Sequence, residues 1–172
     1  DDVLHAMNRK YTQAQYLKTI AKLKEKIQGI AITSDIIVGF PGETDEQFED
    51  TIAVVRAVEF DMLFTYLYSK RIGTPSEKMP DVLTDAQKQL NFEKLLLVQN
   101  DISLKKNRAL LGEIVEILVE GTSKTDAHVL TGRTRGGKIV HCKGDMALVG
   151  QFVHVKINEA QTWTLTGDII TL

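Results

Sequence analysis

A strand–helix–strand pattern between residues 30 and 68 is the feature that most constrains the fold of this chain. Residues 30–38 (IAITSDIIV) are rich in β-branched side chains and too short for a helix, so they predict a buried strand. A helix follows over residues 44–58, and residues 61–68 (DMLFTYLY) predict a second strand. Two strands joined by a helix through short connections form a βαβ unit, so we expect the two strands to be parallel.

The same capping signal, a Thr followed three residues later by a Gln, marks the start of three predicted helices. The pairs are Thr12 with Gln15, Thr44 with Gln47, and Thr84 with Gln87. Each pair can exchange side-chain and backbone hydrogen bonds at a helix N-terminus. Apolar residues then repeat at helical spacing, which predicts helices that reach Ile27, Val58 and Leu111.

Beyond Gly112 the pattern changes to short strand-like runs separated by Gly, Ser, Asn and Asp. The runs cover residues 114–120, 129–134, 138–142, 152–158 and 163–170. This spacing is typical of a small antiparallel β-barrel. The expected fold class is therefore α/β, with part of a (β/α) barrel built on parallel strands and then a small antiparallel β-barrel of the OB-like kind.

The first region is too short to form a complete α/β domain. Two parallel strands need neighbours at both edges and cover on both faces, so we expect part of a barrel or open sheet. The chain also begins Asp1-Asp2 without a Met and is interpreted as a piece of a longer protein. We expect the barrel part at residues 1–80, a long helix that closes it at 81–106, and the β-barrel at 107–172.

Charge and cysteine content limit the possible functions. The chain has 21 Lys and Arg against 23 Asp and Glu, so no overall basic field draws it to nucleic acid. Cys142 is the only cysteine, which excludes an internal disulfide and any site that needs two thiolates, and we expect a cytoplasmic chain. No apolar run approaches the roughly 18 residues of a membrane span.

Two loops lie where α/β folds place ligands, at the carboxyl ends of the predicted strands. The turn at 39–44 (GFPGET) has glycines that permit close approach and a helix N-terminus that offers free N–H groups. A plain tight turn before a capped helix explains it equally well. In the second loop, the adjacent Lys70 and Arg71 can meet a carboxylate or phosphate, or simply lie in solvent.

Three further residues invite a functional interpretation. Asp35 lies in an apolar strand, and we favour a buried carboxylate with hydrogen-bond partners. His141 and Cys142 are adjacent in a predicted strand, so their side chains point to opposite faces and cannot share a metal ion. A core thiol beside a surface imidazole is the expected arrangement.

The predicted β-barrel carries a cluster of cations between Gly121 and Lys143, where Asp126 is the only acid. A small barrel with one basic hairpin suits contact with an RNA backbone, and a charge-balanced surface is the alternative. The cations of this hairpin are Lys124, Arg133, Arg135, Lys138 and Lys143.

Several stretches, in order along the chain, resemble the radical SAM methylthiotransferases. Residues 32–44 (ITSDIIVGFPGET) resemble that family most closely, and residues 2–12 and 60–75 resemble its flanking motifs. Residues 118–124 (LVEGTSK) and 132–134 (GRT) resemble the start of the family's TRAM domain, an RNA-binding β-barrel, and residues 149–153 and 165–167 resemble its end.

The resemblance implies a transferase that methylthiolates an isopentenyl-adenosine beside the tRNA anticodon, with S-adenosylmethionine and 4Fe-4S clusters as cofactors of the full-length protein. The three-cysteine motif that binds the cluster is absent, so we expect this chain alone to bind no cofactor, to be inactive, and to bind RNA. The alternatives are a stand-alone RNA-binding module, a methylthiotransferase for threonylcarbamoyl-adenosine or a ribosomal protein, and a phosphate-binding α/β protein.

The resemblance also implies the site residues, none of them catalytic or metal-binding. We expect S-adenosylmethionine contacts at Ile37, Val38, Gly39, Phe40, Gly42, Tyr66, Tyr68 and Arg71. The five hairpin cations are the expected contacts to tRNA, at its anticodon stem-loop. Because both predicted strands are apolar and one sheet edge is expected to be unpaired, self-association of the first region is expected as well.

Overall fold

Two parallel strands form the sheet of the first region. Strand β1 (Thr33–Val38) pairs with β2 (Met62–Leu67) along their whole lengths, from Thr33 opposite Met62 to Val38 opposite Leu67. Helix α3 (Asp45–Val58) connects them. This computed structural model describes residues 1–123, 126 and 128–171. It confirms the predicted parallel pairing.

The remaining helices are α1 (Asp2–Ala6), α2 (Gln13–Lys26), α4 (Asp85–Arg108) and two short 3-10 turns, Pro75–Lys78 and Met146–Leu148. All three predicted capping boxes are present. In the first, Gln15 donates its backbone N–H to the Thr12 hydroxyl at 3.2 Å, and Thr12 donates its own to the Gln15 side chain at 2.9 Å. The other two pairs repeat this exchange at 2.9 to 3.3 Å.

One face of the sheet is open. The strand begins at Thr33 rather than residue 30, and along β1 the buried or half-buried positions alternate with exposed ones. Asp35 is exposed, so the prediction of a buried carboxylate is wrong. The inner face of α3 is buried as predicted, at Phe48, Ile52, Val55 and Val58. Helix α3 thus covers one face of the two strands, and the apolar residues on the other face are exposed to solvent.

The chain divides into two compact units, residues 1–99 and 100–172. Helix α4 runs across this division. The three-part domain organisation drawn from the sequence, with limits at residues 80 and 106, remains a prediction. Among the described residues, no helix is both long enough and apolar enough to cross a membrane.

The described residues of the second unit form a closed β-barrel of five strands. These are β3 (Ile114–Thr122), β4 (Val129–Thr134), β5 (Ile139–Lys143), β6 (Phe152–Ala160) and β7 (Thr164–Ile170), arranged around the barrel in the order β3-β4-β5-β7-β6. The side chains that fill it are Ile117, Val119, Leu130, Val140, Cys142, Val153, Val155, Ile157 and Leu165.

One strand pair of the barrel is parallel, which differs from the expected all-antiparallel arrangement. Strands β5 and β7 run in the same direction, from Ile139 opposite Thr164 to Cys142 opposite Gly167. A closed ring of strands can be antiparallel at every contact only when the number of strands is even. Because this ring has five strands, at least one parallel pair is unavoidable.

Candidate functional site

Two of the residues expected to bind S-adenosylmethionine lie side by side on the open face of the sheet. Ile37 and Tyr66 are directly opposite each other in the β1–β2 register, and their exposed fractions are 37% and 53%. Phe64, two residues before Tyr66 on β2, is exposed on the same face. Together they form a flat apolar surface, which suits a planar ring such as adenine.

The turn that follows β1 is fixed by a buried carboxylate. Gly39 and Gly42 both adopt positive φ, +76° and +88°, which glycine does without strain. Glu43 is buried, and its Oε2 atom accepts a hydrogen bond from the Gly39 N–H at 2.6 Å. Burial raises the pKa of Glu43, and the hydrogen bond from Gly39 works against that rise. The hydrogen bond from Gly39 to Glu43 therefore stabilises this conformation of the turn.

Other residues that were expected to contact the cofactor are buried next to this turn. Val38 and Phe40 are buried, and the Phe40 ring meets the Tyr68 ring edge-on with 5.2 Å between centroids. The Tyr68 hydroxyl is buried and has no hydrogen-bond partner among the described residues. Arg71 is exposed in the following loop, where its carbonyl oxygen accepts from the Thr74 hydroxyl at 2.8 Å.

Lys88 lies against the turn at Gly39, a position that the sequence analysis did not anticipate. Its alkyl chain lies against Gly39, and its ammonium group donates a hydrogen bond to Asp81 at 2.7 Å. Lys70 lies 3.5 Å from the same carboxylate, so one of the two loop cations does meet an acid. The hydrogen bond from Lys88 is the main reason that the pKa of Asp81 is lowered. A lysine near a helix start normally suggests a solvated position, so its burial could not be predicted from the sequence pattern.

A cavity of about 200 Å³ opens beside β1 in the first unit. It is lined by residues of α1, α2, β1 and α3, among them Tyr16, Ile37 and Glu43. Burial raises the pKa of Tyr16, and a hydrogen bond with Ser34 opposes that shift. The cavity therefore adjoins the turn at Gly39 and has a mixed polar and apolar wall.

The residues of this chain do not fit a 4Fe-4S cluster, which needs three thiolates. Cys142, the single cysteine, is 1% exposed in the barrel core, and burial raises the pKa of its thiol. Within residues 1–123, 126 and 128–171, no group of three His, Cys, Asp or Glu side chains could hold a metal ion. His141 points outward and bonds to the Thr131 hydroxyl at 3.0 Å, which confirms the predicted opposite faces.

Two cations of the basic hairpin are engaged in ion pairs. Arg133 Nε lies 3.1 Å from Glu120 Oε2, and Arg135 Nε lies 3.1 Å from Glu116 Oε1. Both acids belong to β3, which the count between Gly121 and Lys143 did not include. The hairpin is therefore less basic than its own sequence indicates.

Two of the other hairpin cations lie within the described residues. Lys138 Nζ donates to Asn107 Oδ1 at 2.6 Å, and Lys143 is exposed at the end of β5. Lys124 lies outside the residues that the structure describes. Arg133 thus lies in β4 and Arg135 in the turn after it, whereas Lys138 immediately precedes β5 and Lys143 ends it.

An exposed aromatic residue lies close to the paired arginines and was also missed. Leu118 of β3 is directly opposite Arg133 of β4 on one side and Phe152 of β6 on the other. Phe152 is 64% exposed. The alternation of β6 could have revealed it, because Val153 and Val155 are buried and Phe152 must therefore face outward.

Comparison with known proteins agrees with the two units. The radical SAM superfamily model matches residues 1–55, and the TRAM domain model matches residues 108–170. Similar proteins include tRNA-2-methylthio-N(6)-dimethylallyladenosine synthases from Acetivibrio thermocellus, 51% identical over 168 residues, and Anoxybacillus flavithermus, 50% identical over 169 residues. Each match covers 98% of this chain but 35% and 32% of those relatives, so the chain spans about a third of their length.

Proposed function

Because this chain belongs to the radical SAM methylthiotransferase family, we propose that it supplies the C-terminal part of a tRNA methylthiotransferase. The full-length enzyme would add a methylthio group to an isopentenyl-adenosine beside the anticodon, with S-adenosylmethionine and 4Fe-4S clusters as cofactors. The observation that carries this proposal is the identity of about 50% across 98% of the chain to synthases of that name. The same relatives disfavour a phosphate-binding protein, a stand-alone RNA-binding module and the other methylthiotransferase substrates.

In this proposal the first unit binds the adenosyl part of S-adenosylmethionine. Ile37 and Tyr66 offer an exposed apolar surface for the adenine ring, and the backbone at Gly39 and Gly42 lies at the adjoining strand end. The strand ends behind this surface are stabilised by the packed side chains of Val38, Phe40 and Tyr68. Arg71 is an exposed cation in the loop that follows β2. None of these groups is assigned a proton transfer.

The β-barrel binds tRNA at the anticodon stem-loop in the same proposal. Exposed ion pairs such as Arg133 with Glu120 stabilise a fold by only about 0 to 1 kcal/mol, so an RNA phosphate can replace the carboxylate. Arg135, Lys138, Lys143 and Lys124 are the other cations proposed to meet the RNA backbone. Because the net charge of the chain is −2, we expect its affinity for RNA to be weak.

The test of RNA binding compares the chain with a variant that carries Gln at Lys124, Arg133, Arg135 and Lys138. We expect weaker binding to an anticodon stem-loop and a flatter dependence of affinity on salt, because fewer counterions are released. A matched control carries Gln at four exposed lysines of the first unit, Lys10, Lys18, Lys22 and Lys26. Equal affinity of the barrel variant and the parent at every salt concentration would place the RNA contact elsewhere.

This chain alone is proposed to assemble no iron–sulfur cluster and to transfer no methylthio group, because three thiolates are needed and it has one. Anaerobic reconstitution followed by iron and sulfide analysis measures this directly. Four irons and four sulfides bound per chain would overturn this part of the proposal. We also propose a cytoplasmic location, where a tRNA substrate is available, and the single thiol of the chain is compatible with that compartment.

Self-association of the first unit is the remaining part of the proposal. Ile37, Phe64, Tyr66 and Leu67 are exposed on the two-stranded sheet, and apolar surface of this kind favours contact between copies. Sedimentation over a concentration series should show dimers or larger species for the whole chain and monomers for residues 107–172. A whole chain that stays monomeric throughout the series would exclude this association.

A further inference from the structure

We infer that Phe152 is a stacking surface for an unpaired RNA base, with Arg133, two strands away on the same outer face, as the contact to the RNA backbone. The inference rests on the proposed RNA binding of the barrel and names where, and in which conformation, the RNA is held. The ligand is single-stranded RNA or a loop, because a base that is paired inside a helix has no free face to stack on a protein side chain.

The register of the barrel sets up this surface. Arg133, Leu118 and Phe152 lie on three adjacent strands, at positions directly opposite one another. Their neighbours Ile117, Val119 and Val153 fill the barrel, so these three side chains all point outward. Directly opposed residues are close enough for their side chains to touch. The result is a row in which a cation, an aliphatic side chain and an aromatic ring follow one another.

Phe152 has no evident role in holding the barrel together. It is 64% exposed, whereas the other outward residues of β6 are polar, namely His154, Lys156 and Asn158. Leu118 beside it is 37% exposed, so the two side chains form one continuous apolar patch. An apolar patch rimmed by polar and charged groups is the usual sign of a binding surface.

The charged rim favours RNA as the occupant. Arg133 of β4 and Arg135 in the turn after it each bond through the Nε atom to a carboxylate of β3. Arg133 also donates from Nη1 to the Gly137 carbonyl at 3.3 Å, and its side chain remains 44% exposed. The Arg135 side chain is 88% exposed. Both guanidinium groups therefore still present surface that a ligand can reach. An aromatic ring for the base and guanidinium groups for the phosphate are the two elements by which proteins bind single-stranded nucleic acid.

The experiment measures the affinity of the whole chain for a fluorescent single-stranded RNA and for the anticodon stem-loop, over a series of salt concentrations. Phe152→Ala and Phe152→Leu should both weaken binding by roughly 5- to 100-fold, because leucine keeps an apolar side chain but has no aromatic face. Phe152→Trp should bind as tightly as the parent or more tightly. The salt dependence should stay unchanged in all three, whereas Arg133→Gln should flatten it.

Trp163→Ala is the matched control, since Trp163 is an aromatic residue of the same unit that is 61% exposed but lies outside this row. The Trp163→Ala protein should bind both RNAs with the same affinity as the parent. If Phe152→Ala and Phe152→Leu also bind like the parent, the inference is wrong while RNA binding stands. If the parent binds neither RNA, the proposed function fails first.

Two further outcomes count against the stacking surface. A Phe152→Trp protein that binds as weakly as Phe152→Leu would show that an aromatic face is not what the site requires. A Phe152→Ala protein that sediments as a smaller species than the parent without RNA would show that Phe152 contacts another copy of the chain. Unfolding by urea, followed for every variant, ensures that weakened binding is counted only for a folded barrel.

Discussion

The alkyl chain of Lys88 occupies the space that a side chain on Gly39 would need. A Cβ atom built on Gly39 would come within 2.7 Å of both Cγ and Cδ of Lys88, and the residue has a φ of +76°. Two independent causes, backbone conformation and contact with helix α4, therefore require glycine at the end of β1. The same lysine bonds to Asp81, so the turn and the start of α4 are held by one side chain.

Substitution of the two turn glycines separates these causes. Gly42 also has positive φ, +88°, but a Cβ there meets nothing within 4 Å. Gly42→Ala should lower the free energy of unfolding by about 1 kcal/mol, through backbone strain alone. Gly39→Ala should cost a further 1 to 3 kcal/mol, roughly the cost of overpacking. Urea unfolding measures the free energy of unfolding of both variants. Equal losses of stability would show that the Lys88 side chain moves aside without cost.

Asp81→Asn tests the ion pair with Lys88 through its pH dependence. The pKa of Asp81 is lowered, chiefly by the hydrogen bond from Lys88, so its stabilisation is present above the ordinary pKa and is lost as the pH falls through the lowered value. The stability difference between parent and variant should therefore be largest near neutral pH and vanish in acid. It should stay below about 1 kcal/mol because the pair is partly exposed.

The control for that pair is Asp85→Asn. Asp85 lies 3.9 Å from the same ammonium group, but its side chain is fully exposed. The substitution Asp85→Asn should therefore change the free energy of unfolding little at any pH. An acid-dependent loss as large as that of Asp81→Asn would mean that Lys88 does not distinguish the two carboxylates.

The effect of Glu43→Gln on the free energy of unfolding should change with pH in the direction opposite to that of Asp81→Asn. Burial, the largest cause, raises the pKa of Glu43, so its stabilising contribution is complete below the ordinary pKa and is lost as the pH rises through the raised value. Glutamine stays neutral and keeps an oxygen that can accept the Gly39 N–H. Relative to the parent, the variant should therefore gain stability between mildly acidic and neutral pH. A constant difference across that range would contradict this assignment.

Two glycines of the barrel are expected to tolerate no side chain. A Cβ on Gly167 would lie 2.1 Å from the Lys156 carbonyl oxygen, and one on Gly132 would lie 2.5 Å from that of Leu118. Gly167→Ala and Gly132→Ala should each lower the free energy of unfolding of the barrel by about 1 to 3 kcal/mol or more, because a backbone carbonyl cannot rotate away. Gly121→Ala, with nothing within 4 Å, is the control in thermal unfolding.

The sequence predicted the features that depend on neighbouring residues. Each Thr–Gln capping pair acts within four residues, and the two parallel strands follow from one βαβ segment. The features it missed depend on pairing between distant segments. Glu116 and Glu120 neutralise the arginines only because β3 lies beside β4, and Lys88 is buried only because α4 packs on Gly39.

Exposure was the least predictable property for a related reason. An apolar run such as residues 30–38 indicates a strand that is suited to burial, but what covers each face depends on other parts of a protein. In this structure α3 covers one face, so Val38 is buried while Asp35 and Ile37 are solvated. The outward position of Phe152 could be predicted in principle, because buried and outward positions alternate from Phe152 to Asn158.

The order of strands in the barrel has a consequence for its synthesis. The first strand, β3, and the last, β7, are not neighbours, and each instead pairs with β6. A ribosome therefore releases β3, β4 and β5 as a meander with two bare edges, and the ring can close only after residue 170 has emerged. A nascent chain that stops before β6 presents those edges to other chains and to proteases. Protection of the barrel edges therefore depends on synthesis of β6 and β7.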